Sequence, residues 1–145
     1  MAKPAPPRLA DYGWTCPITT RWADNDVYHH VNNVVYYSYF DTVANSYLME
    51  RGGLDFRDGS VVGFVVNSNC DYHAPIAFPQ RLTGALRVDR LGNSSVTYGI
   101  GIFVEGDEAA SANGTFTHVF VDRAAGRPVR IPDALRVALE ALVTA

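Results

Sequence analysis

The spacing of apolar residues between Val34 and Met49 predicts one long helix. Large apolar side chains recur there at intervals of three and four, which is the period of one face of an α-helix. Asn32 or Asn33 is a natural N-cap for this helix. Gly52 and Gly53 follow it directly and predict its end.

Strand patterns precede and follow this helix. The segment from Trp14 to Trp22 is compatible with a first strand, and the continuous apolar run from Val61 to Val66 is typical of a strand buried on both faces. The segment from Pro132 to Val143 is compatible with a short C-terminal helix. Three further strands are predicted by alternation or by Thr, Val and Phe content, and they begin near Leu82, Val96 and Thr115.

The predicted order is therefore a strand, the long helix, a series of meandering strands and a short helix. One helix covers only one face of a five-stranded antiparallel sheet. The other face, or an edge of the sheet, is expected to contact a second copy of the chain. We therefore predict a homodimer or a homotetramer.

Length and composition indicate one ordinary domain. Of the 145 residues, 48% are hydrophobic and 19% are charged, so residues 1–145 are predicted to form a single domain with a flexible lead-in over residues 1–12. The formal net charge of −3 disfavours nucleic acid as a partner. Because no apolar stretch resembles a membrane span or a signal peptide, we expect a cytoplasmic protein with no membrane partner. Cys16 and Cys70 are expected to be reduced.

The residues best suited to chemistry are concentrated immediately before the long helix. The segment from Arg21 to Tyr36 reads RWADNDVYHHVNNVVY and contains two carboxylates, two imidazoles and three amides. A helix N-terminus presents unpaired N–H groups and a partial positive charge, which suits a developing oxyanion. A carboxylate beside those groups can attack a carbonyl or activate water. Asp24 is expected to be structural and to pair with Arg21.

The run D-x-x-x-H-x-N-N-x-x-Y, after a strand and at the start of a long helix, resembles the hotdog-fold thioesterases. It is similar to the branch that contains 4-hydroxybenzoyl-CoA thioesterase. The residues that carry this resemblance are Asp26, His30, Asn32, Asn33 and Tyr36. Two weaker likenesses lie in DYHAP at residues 71–75 and in LGNSSV at residues 91–96, so the resemblance extends over most of the chain.

The resemblance implies an α+β hotdog fold, in which a five-stranded antiparallel sheet wraps around one central helix. It also implies hydrolysis of acyl-CoA, aroyl-CoA or acyl-carrier-protein thioesters, with Asp26 as nucleophile or general base. His30 is expected to orient Asp26 or the carbonyl, and the backbone N–H groups around Asn33 and Val34 are expected to bind the oxyanion. No cofactor is expected, since CoA is part of the substrate. The expected substrate contacts are Asn32, Tyr36, Gly92, Ser94 and Ser95.

Two alternatives on the same fold remain open, a module that binds acyl-CoA without hydrolysing it and a hydratase or dehydratase. No P-loop, dinucleotide fingerprint or serine-nucleophile elbow is present in the sequence. No metal site is expected, because the histidines lack the i,i+4 spacing of helical ligands. His29 and His30 are adjacent and point opposite ways in an extended chain, so we expect only His30 to face the site. Some members of the family carry glycine at these two positions.

Overall fold

The computed structural model describes residues 4–144 and contains five strands and two α-helices. The strands form one antiparallel sheet in the order β1-β3-β4-β5-β2. Helix α1 packs on one face of the sheet, which is the α+β hotdog arrangement that the resemblance implies. The elements are β1 (Trp14–Thr19), α1 (Val35–Glu50), β2 (Val61–Tyr72), β3 (Arg81–Leu91), β4 (Ser95–Val104), β5 (Ala112–Asp122) and α2 (Asp133–Glu140).

The predicted apolar face of α1 is the face that the sheet buries. Its large side chains are all buried. The predicted N-cap at Asn32 or Asn33 is wrong, because Val34 is the N-cap residue of α1 and no side chain caps it. Asn32 instead closes the turn before the helix, since its Oδ1 accepts the N–H of Val34 at 3.0 Å and its carbonyl accepts the N–H of Val35 at 2.9 Å. The chain reverses beyond the helix at Gly53, whose φ of 68° suits glycine. The buried face of α1 consists of Tyr36, Tyr39, Phe40, Val43, Ala44, Tyr47 and Leu48.

Strand β2 departs from its prediction. The run from Val61 to Val66 was expected to be buried on both faces, and this is wrong for the single chain, in which Phe64 is 56% and Val66 is 60% exposed. The strand crosses to the far edge of the sheet and pairs only with β5 there. One of its two edges therefore has no neighbouring strand within residues 4–144. An apolar, unpaired edge strand is a surface that folded proteins ordinarily cover.

The lead-in also differs from its prediction. Residues 7–12 pack against the β4–β5 connection instead of remaining loose, since Leu9 donates its N–H to the carbonyl of Glu108 at 2.8 Å and Ala110 donates to Pro7 at 2.9 Å. Tyr12 is buried edge-on against Phe103 on the face of the sheet opposite α1. Residues 1–3 of the predicted lead-in lie outside the described residues. Neither α1 nor α2 is long and apolar enough to cross a membrane.

Candidate active site

Asp24 is the structural carboxylate of the pair that precedes the helix. It is fully buried, accepts the phenolic hydrogen of Tyr39 at 2.7 Å, and forms the predicted ion pair with Arg21. Its Oδ2 also accepts the backbone N–H of Arg21 at 2.8 Å. Burial by itself would raise the pKa of Asp24, but the hydrogen bonds from Tyr39 and Arg21 outweigh it and lower the pKa. Asp24 therefore joins the end of β1 to the second turn of α1.

Asp26 is only half-buried and is held from two sides. Its Oδ1 accepts the backbone N–H of Tyr28 at 2.9 Å, and its Oδ2 accepts the side-chain amide of Asn32 at 3.1 Å. Its own backbone closes a tight turn, with hydrogen bonds to His29 and His30. Each carboxylate oxygen has more than one acceptor position, so both can still receive a further hydrogen bond. The carboxylate is thus fixed in position but remains open to a ligand.

Asn32 positions Asp26 relative to the helix. One side-chain amide donates to Asp26 through Nδ2 and accepts the N–H of Val34 through Oδ1. Asn32 was predicted to contact substrate, but both ends of its side-chain amide already form hydrogen bonds within the chain. The bond from Val34 also removes that N–H from the expected oxyanion donors.

The backbone N–H of Asn33 is the donor that remains. It donates no hydrogen bond within residues 4–144, whereas its neighbours donate to Asp24 and to Asn32. Its carbonyl accepts the phenolic hydrogen of Tyr72 at 2.9 Å, which holds the peptide in place. An amide N–H without a partner, two residues before the first residue of a helix, is suited to binding an oxyanion.

Two separate clefts meet this segment, and the two adjacent histidines line different ones. Asp26 and His29 line a cleft of about 300 Å³ together with Trp22 and Phe78, named here the Asp26 cleft. His30 lines a second cleft of about 330 Å³, named here the Asn33 cleft. The expectation that only His30 faces the site is therefore wrong, because the φ of 68° at His29 turns the chain out of the extended form. The other residues of the Asn33 cleft are Val31, Asn33, Tyr36, Tyr72, His73, Ala74 and Pro75.

His73 lines the Asn33 cleft and was not among the expected site residues. It lies directly after β2, and its Nε2 is 2.6 Å from Oδ1 of Asn113 on β5. Tyr36 lines the same cleft and is almost fully buried. The signal for His73 was its place in the DYHAP segment, which was interpreted only through its aromatic and proline residues.

The predicted contacts at Gly92, Ser94 and Ser95 lie at the other end of the sheet. Ser94 accepts the N–H of Phe120, near the end of β5, whereas Tyr72 pairs with Ala112 at its start. Eight residues of extended strand separate the two places by roughly 26 Å. One chain therefore does not bring the β3–β4 turn to the Asp26 loop.

Neither a metal site nor a cysteine nucleophile is supported by the described part of the chain. Among residues 4–144, no three His, Cys, Asp or Glu side chains approach closely enough to hold a metal ion. His118 is buried in the core with the Tyr98 hydroxyl 3.1 Å from its Nδ1. Burial raises the pKa of the Cys16 thiol and raises that of Cys70 to about 11, so neither is a thiolate near neutral pH.

Comparison with known proteins identifies the family. The sequence model of the thioesterase superfamily matches residues 28–111, which is more than half of the chain. The chain belongs to the thioesterase superfamily. The match includes the helix start and the Asn33 cleft and begins two residues after Asp26.

Solved structures of other proteins share the fold. The PA5185 protein of Pseudomonas aeruginosa is 57% identical, with 97% of this chain and 98% of that one covered and a TM-score of 0.95. A predicted thioesterase from Bacillus stearothermophilus is 27% identical, with 90% and 96% covered and a TM-score of 0.76. A 1,4-dihydroxy-2-naphthoyl-CoA thioesterase from Synechocystis is 17% identical, with 86% of this chain and 93% of that one covered and a TM-score of 0.77. At this identity the likeness shows the fold alone.

Proposed function

We propose that this thioesterase-superfamily protein hydrolyses acyl-CoA or aroyl-CoA thioesters to the free acid and CoA, with Asp26 as the reacting carboxylate. The observation that carries the proposal is the combination of a fixed, accessible carboxylate with an unpartnered backbone N–H at Asn33. These are the two elements that acyl transfer needs, a nucleophile or base and a donor for the oxyanion. Asn32 couples them, because it binds Asp26 and closes the turn that contains Asn33.

Asp26 acts on the thioester carbonyl directly or through water. As nucleophile it forms an acyl-enzyme anhydride that water then cleaves; as general base it removes a proton from the attacking water. In both cases negative charge develops on the carbonyl oxygen, which the N–H of Asn33 stabilises. The departing thiolate needs little help from an acid, because a thiol with a pKa of about 8.5 is a good leaving group. The proton taken up from water returns to the thiolate or to solvent.

His30 lies on the Asn33 side of the carboxylate and not in the cleft that Asp26 lines. We propose that it orients the thioester carbonyl rather than Asp26. The backbone carbonyl of His30 accepts the backbone N–H of Asp26 at 3.0 Å, so His30 also holds the loop that carries the carboxylate.

A second copy of the chain is part of the proposal. Within one chain the apolar side chains of the β2 edge are exposed, and the β3–β4 turn is far from Asp26. Association through β2 would cover Phe64 and Val66, and a partner's turn at Gly92 to Ser95 could then meet the CoA part of the substrate. We propose a homodimer or homotetramer on these grounds.

The test is release of free thiol from a panel of acyl-CoA and acyl-carrier-protein thioesters. Asp26→Asn keeps the shape of the side chain and removes its charge, and should lower kcat by at least ~10²-fold, the lower end for positioned acid–base catalysis. Substrate affinity should change little.

Asp107→Asn is the matched control, since Asp107 is an exposed carboxylate in the β4–β5 turn. Asp24→Asn is unsuitable as a control, because its charge is buried against Tyr39 and Arg21. Binding of the thioesters without thiol release would refute hydrolysis and favour the binding module. Full activity of Asp26→Asn would move the reacting group elsewhere.

A further inference from the structure

Asn33 lies between two peptide units that are both held by hydrogen bonds. In the first unit, the carbonyl of Asn32 accepts the N–H of Val35 at 2.9 Å. Because a peptide unit is planar, this bond also fixes the direction of the Asn33 N–H at the other end of the unit. In the second unit, Val34 donates its N–H to Asn32, and the Asn33 carbonyl accepts the hydroxyl hydrogen of Tyr72. With both units held, neither backbone torsion of Asn33 turns freely.

The hydrogen bond from Tyr72 differs from the other two because it comes from a distant part of the chain. Asn32, Val34 and Val35 lie within three positions of one another, so the bonds among them move together with the helix start. Tyr72 is the last residue of β2 and lies 39 residues beyond Asn33. Its hydroxyl therefore fixes the Asn33 peptide relative to the sheet.

Tyr72 is itself firmly placed. Its ring stands edge-on to that of Tyr36, with the ring centroids 5.0 Å apart. The two residues that follow it, His73 and Ala74, both donate their N–H groups to the carbonyl of Ser111, at 2.8 and 3.1 Å. Burial raises the pKa of the Tyr72 hydroxyl, so the group keeps its hydrogen and remains a donor near neutral pH.

The same hydroxyl changes the charge near the candidate oxyanion donor. Asn33 and Tyr72 both line the Asn33 cleft, and the Asn33 carbonyl carries partial negative charge on the residue whose N–H is the donor. A carbonyl oxygen without a hydrogen-bond donor would oppose the negative charge that develops on a thioester oxygen nearby. The hydrogen that Tyr72 donates offsets this partial charge.

We propose that Tyr72 is a positioning residue for thioester hydrolysis, because it fixes the Asn33 peptide with the N–H directed at the developing oxyanion. This rests on the proposed hydrolysis and adds a residue that acts through the Asn33 backbone. A donor that is already oriented needs no reorganisation when charge develops in the transition state. Tyr72 thus makes the end of β2 part of the machinery that is otherwise built before α1.

The kinetic test is Tyr72→Phe, which removes the hydroxyl and keeps the ring against Tyr36. In the thiol-release assay we expect kcat to fall by about tenfold, the size expected for losing one hydrogen bond that acts in the transition state. KM should stay within about twofold, since the hydroxyl is not proposed to bind substrate. Tyr47→Phe is the matched control, because the buried Tyr47 hydroxyl also donates to a backbone carbonyl, that of Ala138 near the other end of α1. The control should keep its kcat even if it loses stability.

The structural test reads the Asn33 amide directly and needs no substrate. In the wild-type protein its ¹⁵N order parameter should be about 0.85, the value of a rigid backbone. In Tyr72→Phe it should fall toward about 0.6, the value below which a backbone is flexible. In Tyr47→Phe the order parameter of the Asn33 amide should not change.

The outcomes separate this role from the proposed hydrolysis. A Tyr72→Phe variant with the kcat of the wild type overturns the positioning role and leaves hydrolysis standing. A loss that appears only in KM assigns Tyr72 to substrate binding and also overturns it, as does an Asn33 amide that stays equally rigid in Tyr72→Phe. If no thioester is hydrolysed by the wild type, the proposed hydrolysis fails, and the order parameter alone decides whether Tyr72 fixes the Asn33 peptide.

Discussion

His118 is a buried, uncharged histidine, and acid should therefore destabilise the fold in a defined pH range. The side chain is 1% exposed and packs among Tyr98, Phe116 and Phe120. Burial lowers its pKa from 6.5 to about 4. The unfolded chain therefore binds a proton below pH 6.5 that the folded chain does not bind until about pH 4, so stability falls as the pH falls through this range.

The magnitude follows from the two pKa values. A difference of about 2.5 between them corresponds to about 3 kcal/mol at its limit. Between pH 7.5 and pH 5 the expected loss in the free energy of unfolding is about 2 kcal/mol, because only part of the range has been crossed. The lowered pKa of Asp24 contributes in the same direction, but its stabilisation is lost only below the ordinary aspartate pKa of 3.8. The two contributions therefore separate on the pH axis.

The assay is urea unfolding at pH 7.5, 6 and 5, at one protein concentration because association would shift apparent stability. The informative variant changes both partners, Tyr98→Phe with His118→Phe, since replacing His118 alone would leave the buried Tyr98 hydroxyl unsatisfied. The double variant should keep neutral-pH stability within about 1 kcal/mol and lose the acid dependence. Tyr98→Phe alone is the control and should keep the acid dependence, because His118 is still present. A double variant that still loses about 2 kcal/mol by pH 5 would refute the reasoning.

Three further predictions concern the β2 edge, the Asp26 loop and metal. The wild-type chain should sediment as a dimer or larger species at micromolar concentration, and Val66→Lys should shift it toward monomer; a monomeric wild type would contradict the role given to the exposed β2 strand. His29→Gly should be more stable than His29→Ala by about 1 kcal/mol, because a residue with a Cβ is strained at the φ of 68° found here. Equal melting curves for the two variants would contradict this. Thiol release should survive EDTA, and its loss on chelation with recovery on adding zinc would require a metal site.

Local sequence was sufficient for the features that depend on neighbouring residues. The apolar period of α1 reappears as its buried face, and the polar turn before the helix forms between Asn32 and Val34. The sequence also distinguished a structural carboxylate, Asp24, from an accessible one, Asp26, because Arg21 lies only three residues before Asp24 and pairs with it. These interactions span one or two turns of chain, and side-chain spacing specifies them directly.

Tertiary structure decided what depends on distant pairing. The run at Val61 to Val66 has the composition of a buried strand, yet it becomes an edge because β5 is its only neighbour within the described chain. A single positive φ at His29 decided which imidazole shares a cleft with Asp26. The pairing of β2 with β5 also brings His73 beside Asn113, forty residues along the chain. Sheet order and backbone torsion arise from the balance of all contacts in the fold, so no local pattern in the sequence contains them.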